Sequence, residues 1–145
     1  MRFLIQRVTR ASVRVEGYDE SSIERGILVL IGIAATDQTN DADYLADKLV
    51  NLRIFPDSEG KMNLSALDTA AELLLVSQFT LYGDCRKGRR PSFDAAAPPE
   101  MARKLYEYVV EKVKGKGLVV RTGIFQAHME VELINDGPVT LLLET

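Results

Sequence analysis

Cysteine and histidine are nearly missing from this chain: Cys85 and His128 stand alone. One thiol cannot close an internal disulfide, so packing must hold the fold, and such usage fits a reducing cytosol. One histidine and one cysteine cannot build a zinc site of ordinary composition, and neither a metal nor another cofactor is expected. No apolar run approaches the roughly 20 residues that a membrane helix needs. The apolar stretch after Met1 is too short for a signal peptide. A positive excess is lacking too. The net charge is −3, so any grip on nucleic acid must come from a local basic patch rather than the global field.

What is present suits one domain over residues 1–145 with a real hydrophobic core: 46% of residues are apolar and 27% charged, as in ordinary globular proteins. Residues 2–16 partly alternate apolar and polar, with Val8, Ala11, Val13 and Val15 against Arg7, Thr9, Arg14 and Glu16, and predict a half-buried strand. Gly17–Ser22 reads as a connector. Ile27–Ile33 is apolar throughout and predicts a central strand, paired with the first as an antiparallel hairpin. Thr39-Asn40-Asp41 offers capping oxygens and early negative charge for a helix, whose apolar stripe runs through Tyr44, Leu45, Leu49 and Leu52. Pro56–Gly60 ends that segment, with Arg53–Phe55 as a possible short strand. Pro99 suits the first turn of a second helix with Met101, Leu105, Tyr108, Val109 and Val113 on its inner face; Gly115–Gly117 closes it. Leu118–Phe125, Met129–Ile134 and Val139–Glu144 predict three strands, the last two joined by an Asn135–Pro138 turn. Consecutive strands without intervening helices argue for antiparallel pairing, hence an α+β domain with helices packed on a sheet.

Three stretches could carry chemistry. Leu73–Asp84 starts as a doubly buried strand, then turns polar at Ser77, Gln78 and Thr80 without breaking, and ends at Gly83-Asp84. The bland reading bonds Ser77 and Thr80 to backbone and turns Gln78 to water. The functional reading brings the strand end to a cleft, since unpaired buried polar groups are costly. Gly137-Pro138 reads on its own as a trans hairpin corner, or else as backbone aiming carbonyl oxygens at a ligand. Four of the five residues Arg86–Arg90 are cationic: a solvated loop, or a segment that contacts phosphates. Cys85 beside Arg86 could be an activated thiol, but no histidine lies near it in sequence. His128 reads as a packed or surface residue, and Met62 and Met129 as packing residues.

Together these stretches resemble one family. Ser77-Gln78-Phe79-Thr80-Leu81 looks like the active-site signature of the D-aminoacyl-tRNA deacylases, and Asn135-Asp136-Gly137-Pro138-Val139-Thr140 like their second, Gly-cisPro, signature. The segments Met1–Arg7, Lys61–Ser65 and Lys87–Phe93 match as well, so the likeness spans essentially the whole chain. The resemblance implies a cytoplasmic homodimer with its active site at the subunit interface. It implies a three-layer arrangement of antiparallel or mixed sheets with two helices packed on one side. The implied reaction is hydrolysis of the ester joining a D-amino acid, or glycine, to the 3′ end of tRNA. The family's sites then map onto Ser77, Gln78, Phe79 and Thr80 for the ester and terminal adenosine. Gly137 and Pro138 of the partner copy would hold the α-amino group, with Arg7 orienting that segment. Arg86, Lys87, Arg89 and Arg90 are the candidate tRNA contacts. Thr80 could act as nucleophile only with an adjacent base. The alternative, which the resemblance favours, is hydrolysis assisted by the tRNA 2′-hydroxyl, with the Phe79 and Thr80 N–H groups facing the oxyanion. Two competing functions are a different esterase or amide hydrolase using Thr80 or Cys85, and a non-catalytic RNA-binding module using the Arg86–Arg90 loop.

Overall fold

In the computed structural model, which describes residues 1–145, the alternating N-terminal stretch forms one long strand, β1 (Arg2–Arg14). It is followed by β2 (Ser21–Ile23), β3 (Gly26–Gly32) and the helix α1 (Thr39–Asn51). A small pair, β4 (Phe55–Pro56) and β5 (Met62–Leu64), and a one-turn helix, α2 (Ala66–Thr69), lead to β6 (Glu72–Ser77). After a 3-10 turn at Phe79–Tyr82 come α3 (Pro99–Lys114), β7 (Val120–Thr122) and β8 (Glu130–Glu144).

The main sheet runs β2-β1-β3-β6-β7, with β8 added to β1. β1 and β3 pair antiparallel, Arg2 opposite Gly32 and Val8 opposite Gly26, as the hairpin pattern predicts. β3–β6 and β6–β7 are parallel instead, so the sheet is mixed. The reason lies in the connections: α1 intervenes between β3 and β6, and α3 between β6 and β7, and a parallel pair requires such a crossover.

Alternation splits the apolar residues between two clusters. Phe3, Ile5, Ile27, Val29, Leu73 and Leu75 face α1 (Leu45, Leu49) and α3 (Leu105, Val109, Val113) in the larger one. Val8, Ala11, Val13, Leu28, Leu74 and Val76 form the smaller one on the opposite face. β3 and β6 feed both, which is why they read as unbroken apolar runs. Both long helices pack into the same cluster. α1 buries Ala42, Leu45, Ala46, Leu49 and Val50, but Tyr44, placed on its apolar stripe by spacing, is exposed. On α3 it is Tyr106 that goes inside, donating to the Leu75 carbonyl at 2.8 Å; burial raises its phenol pKa. Tyr108 instead meets Asp43 across the helix pair at 3.0 Å. No helix is long and apolar enough to cross a membrane.

Two further sequence expectations fail. The polar end of Leu73–Asp84 is not strand, because β6 stops at Ser77 and the chain coils into the 3-10 turn. Gly32 makes room for that coil: a Cβ there would sit 3.0 Å from Leu81 Cβ and 3.3 Å from the Gln78 carbonyl oxygen. Nor is Asn135–Pro138 a turn between two paired strands. β8 is one strand of 15 residues, and both halves pair antiparallel with β1. Gln6 faces Thr140 and Val8 faces Asn135, so two steps along β1 (6 to 8) answer to five along β8 (135 to 140). Asp136–Val139 thus stand opposite Arg7 alone and bow out of the ladder as a bulge, with Gly137 and Pro138 exposed and Val139 turned back into the larger core.

The Met1 ammonium is buried against Asp37 at 2.6 Å, whose other oxygen accepts the Ala34 N–H at 2.7 Å. Removing one partner of a buried pair leaves an uncompensated charge. Asp37→Ala is expected to lower stability by about 3 kcal/mol, seen as a lower urea midpoint at unchanged slope.

Candidate active site

β6 delivers its polar end to the rim of the sheet. Gln78 N–H donates to the Ile31 carbonyl at 2.7 Å, continuing the parallel ladder for one last bond. Its φ of −147° and ψ of 79° then turn the chain. The turn's own bonds begin with Leu81 N–H to the Gln78 carbonyl (3.3 Å), then Gly83 N–H to the Thr80 carbonyl (2.9 Å). The N–H groups of Phe79 and Thr80 precede that ladder, in the position where any helical turn has donors without an internal acceptor. The Gln78 amide nitrogen donates to Thr80 Oγ1, so these two side chains pair with each other rather than with backbone and water.

A cleft of about 690 Å³ opens beside this turn, within the range for small-ligand sites. Ser77, Gln78 and Phe79 form one wall; the start of α3 and the segment 125–129 form the other. Phe79 is 58% exposed and meets Phe93 edge-on at 5.0 Å. Phe93, Phe125, Gln126 and His128 all line the cleft, although no local sequence pattern marks them for it. His128, a packed or surface residue by sequence, and Met129, a packing residue, both line it, and Met62 is exposed rather than packed. Gln126 has φ +64°, a backbone state unusual for a residue with a side chain, and nothing in its sequence neighbourhood signals this.

No acidic or cationic side chain lines the cleft. The one carboxylate near Thr80 in sequence, Asp84, is claimed by Arg86 at 2.7 and 2.9 Å. That side-chain hydrogen bonding holds its pKa down to about 2, which makes it a poor base at neutral pH. On the far side of the turn Arg2 donates to the Leu81 carbonyl at 2.8 Å and lies 4.6 Å over the Tyr82 ring. Desolvation by burial pushes the Tyr82 phenol up to about 12, so it is neutral across the physiological range.

The bulge is held from two sides. Arg7 is buried; its Nε donates to the Asp136 carbonyl at 3.0 Å and lies 3.0 Å from the Asp136 carboxylate. Its Nη1 donates to the Ile54 carbonyl. Arg7 therefore grips the residue before Gly137, not the Gly137 or Pro138 carbonyl itself. Asn135 Nδ2 donates to Gln6 Oε1 and to the Val139 carbonyl, both at 3.0 Å. A Cβ on Gly137 would collide with the Asn135 amide oxygen and come within 3.1 Å of Val139 N. The Gly137–Pro138 peptide bond is cis. Both residues are exposed, and neither lines the cleft. Val131 near the start of β8 reaches the cleft, whereas Gly137 and Pro138 lie six and seven residues further along that strand. One chain does not bring bulge and cleft together.

The basic loop is exposed throughout and closed at its base by paired Asp84–Ser92 bonds of 2.7 and 3.0 Å. Arg86 is spent on Asp84; Lys87, Arg89 and Arg90 enter no ion pair. Cys85 is exposed.

A family model described as D-Tyr-tRNA(Tyr) deacylase matches residues 4–144. A D-aminoacyl-tRNA deacylase of Geotalea uraniireducens is 62% identical over 145 residues, covering all of this chain and 94% of its own. One from Koribacter versatilis is 59% identical, with 97% of its length covered. Among solved structures, a c-Myc DNA Unwinding Element Binding Protein superposes with a TM-score of 0.92 at 42% identity, over 100% of this chain and 99% of its own. A probable eukaryotic D-amino acid tRNA deacylase has a TM-score of 0.84 at 18% identity, over 98% and 97%. At that identity the likeness is one of fold.

Asn135→Ala removes both 3.0 Å bonds under the bulge. The expected result is a loss of about 1–2 kcal/mol together with faster amide exchange over residues 136–140, while exchange in β6 stays unchanged.

Proposed function

The chain belongs to the D-Tyr-tRNA(Tyr) deacylase family and is a D-aminoacyl-tRNA deacylase, and we propose that it acts in the cytoplasm as a homodimer whose residues 1–145 form one deacylase domain. In this reading each cleft receives the terminal adenosine and its ester, and the partner copy supplies the bulge. The observation that carries it is the placement of Gly137-Pro138: exposed, held by Arg7 and Asn135, and remote from the cleft of its own chain. A second copy resolves this separation. Exposed apolar side chains along β8 and beside the cleft, Ile134 (46%), Leu142 (49%) and Phe79 (58%), fit burial in such an interface.

A filter for handedness must fix three groups on the α-carbon and test the fourth. The cleft takes the ester, and the Gly137 and Pro138 carbonyls of the partner take the α-amino group. An L side chain would then point into backbone, which cannot move aside, and is rejected by collision. Glycine has nothing to collide with, so glycyl-tRNA passes. Such a gate reads chirality and ignores side-chain identity.

In the hydrolysis, water attacks the ester carbonyl carbon and the Phe79 and Thr80 N–H groups face the developing oxyanion. The 2′-hydroxyl of the terminal ribose, adjacent to the ester, helps activate the water. The ester C–O bond breaks, and the 3′-oxygen leaves protonated. This assignment suits a site where Thr80 Oγ1 already accepts from Gln78 and Asp84 is locked on Arg86. Gln78 positions the adenosine. Lys87, Arg89 and Arg90 reach acceptor-stem phosphates, with Arg86 shaping their loop.

Incubation with matched D- and L-aminoacyl-tRNA is expected to release only the D-amino acid, and glycine from glycyl-tRNA; equal release of both hands would sink the gate. Thr80→Ala is expected to keep most of the activity, whereas a substrate ending in 2′-deoxyadenosine is hydrolysed about 10²-fold more slowly. Sedimentation is expected to give the mass of two chains, and a monomer active at that same concentration would overturn the shared site.

A further inference from the structure

The cleft wall is uncharged, which suits a nucleoside and not the phosphodiester that ties a terminal nucleoside to its neighbour. That phosphate must lie at the rim. Arg103 is carried by α3 beside Pro99 and Ala102, both of which line the cleft. Its guanidinium carbon lies 4.7 Å over the ring of Phe125, a cleft residue. Stacking on an aromatic face fixes the plane of the guanidinium and leaves its edge donors free. Those donors are poorly used: Nη2 lies 3.5 Å from the side-chain oxygen of Gln126, at the outer limit of a hydrogen bond, and Nη1 is 4.0 Å from Glu107. Nearly half of the side chain is exposed. A planar fork, oriented by an aromatic ring and with open donors, matches two oxygens of a phosphodiester.

We infer that Arg103 is the binding residue for the phosphodiester immediately 5′ of the terminal adenosine, an inference that rests on the cleft holding that adenosine. It is separate from the basic loop, which sits on the Phe93 side and would serve phosphates further along the acceptor stem. Arg103 touches no reacting atom, so its contribution is to affinity for substrates that carry the phosphate, and not to the chemical step.

The test compares two minimal substrates, a D-aminoacyl-adenosine without phosphate and a D-aminoacyl-CpA with one. For the unmodified protein kcat/KM should be higher on D-aminoacyl-CpA. Arg103→Gln should erase that advantage, roughly five- to tenfold through KM, and leave D-aminoacyl-adenosine unchanged. On full-length D-aminoacyl-tRNA it should flatten the salt dependence of log KM by about 0.7, one phosphate contact on a single strand. Arg103→Lys keeps the charge without the fork and should fall between. If Arg103→Gln impairs both substrates equally, or neither, the phosphate assignment is wrong while the adenosine cleft survives. If the unmodified protein hydrolyses neither minimal substrate while still hydrolysing D-aminoacyl-tRNA, the adenosine cleft itself is wrong, and the assignment falls with it.

Discussion

β1 is paired along both edges, with β8 on one side for its full length and with β3 and β2 on the other. Both the turn at Phe79 and the bulge at Gly137-Pro138 take their position from that double pairing. On one side the register with β8 sets Arg7 against the surplus residues of the bulge. On the other, β3 carries β6, and β6 ends where the Ile31 carbonyl takes its last ladder bond from Gln78. Bulge and turn are thus fixed by backbone hydrogen bonds in one rigid sheet, with no flexible loop between them. Sites carried on strands hold their geometry better than sites carried on loops.

Arg7 shows what this rigidity asks of a side chain. A buried guanidinium is tolerated only when its donors are met and its charge is compensated. Two backbone carbonyls, Asp136 and Ile54, and the Asp136 carboxylate do this. The same bonds tie the bulge to the segment that follows α1, so the bulge is anchored to the larger core as well as to its neighbouring strand. Asn135 completes the support from beneath, and the space it fills leaves room for nothing larger than glycine at 137.

Much of this was legible in the residues. The unbroken apolar runs Ile27–Ile33 and Leu73–Val76 are central strands because they face apolar clusters on both sides. Pro99 opens α3 as its fixed φ allows. Other features were hidden for identifiable reasons. Strand directions depend on which helix crosses over, and local pattern does not carry that. The turn at Phe79 owes its shape to Gly32, 47 positions earlier in the chain (79 − 32). The Asn135–Pro138 composition belongs to a hairpin turn, and only pairing with β1 turns it into a bulge. Of the cleft, the wall from Ser77 to Phe79 could be read directly, while Phe93, Phe125, Gln126 and His128 arrive there through tertiary packing that no short window encodes.

β8 has β1 as its sole strand neighbour, so its outer edge offers open N–H and C=O groups over a long apolar strand, the usual starting point for fibrillar stacking. The bulge interrupts that edge midway, and Glu132 and Glu144 near its two ends are drawn toward β1 in ion pairs with Arg10, Arg14 and Arg2. No foreign strand can run in register along its whole length. The kink at Gly137-Pro138 thereby breaks the regular edge on which self-templated stacking depends.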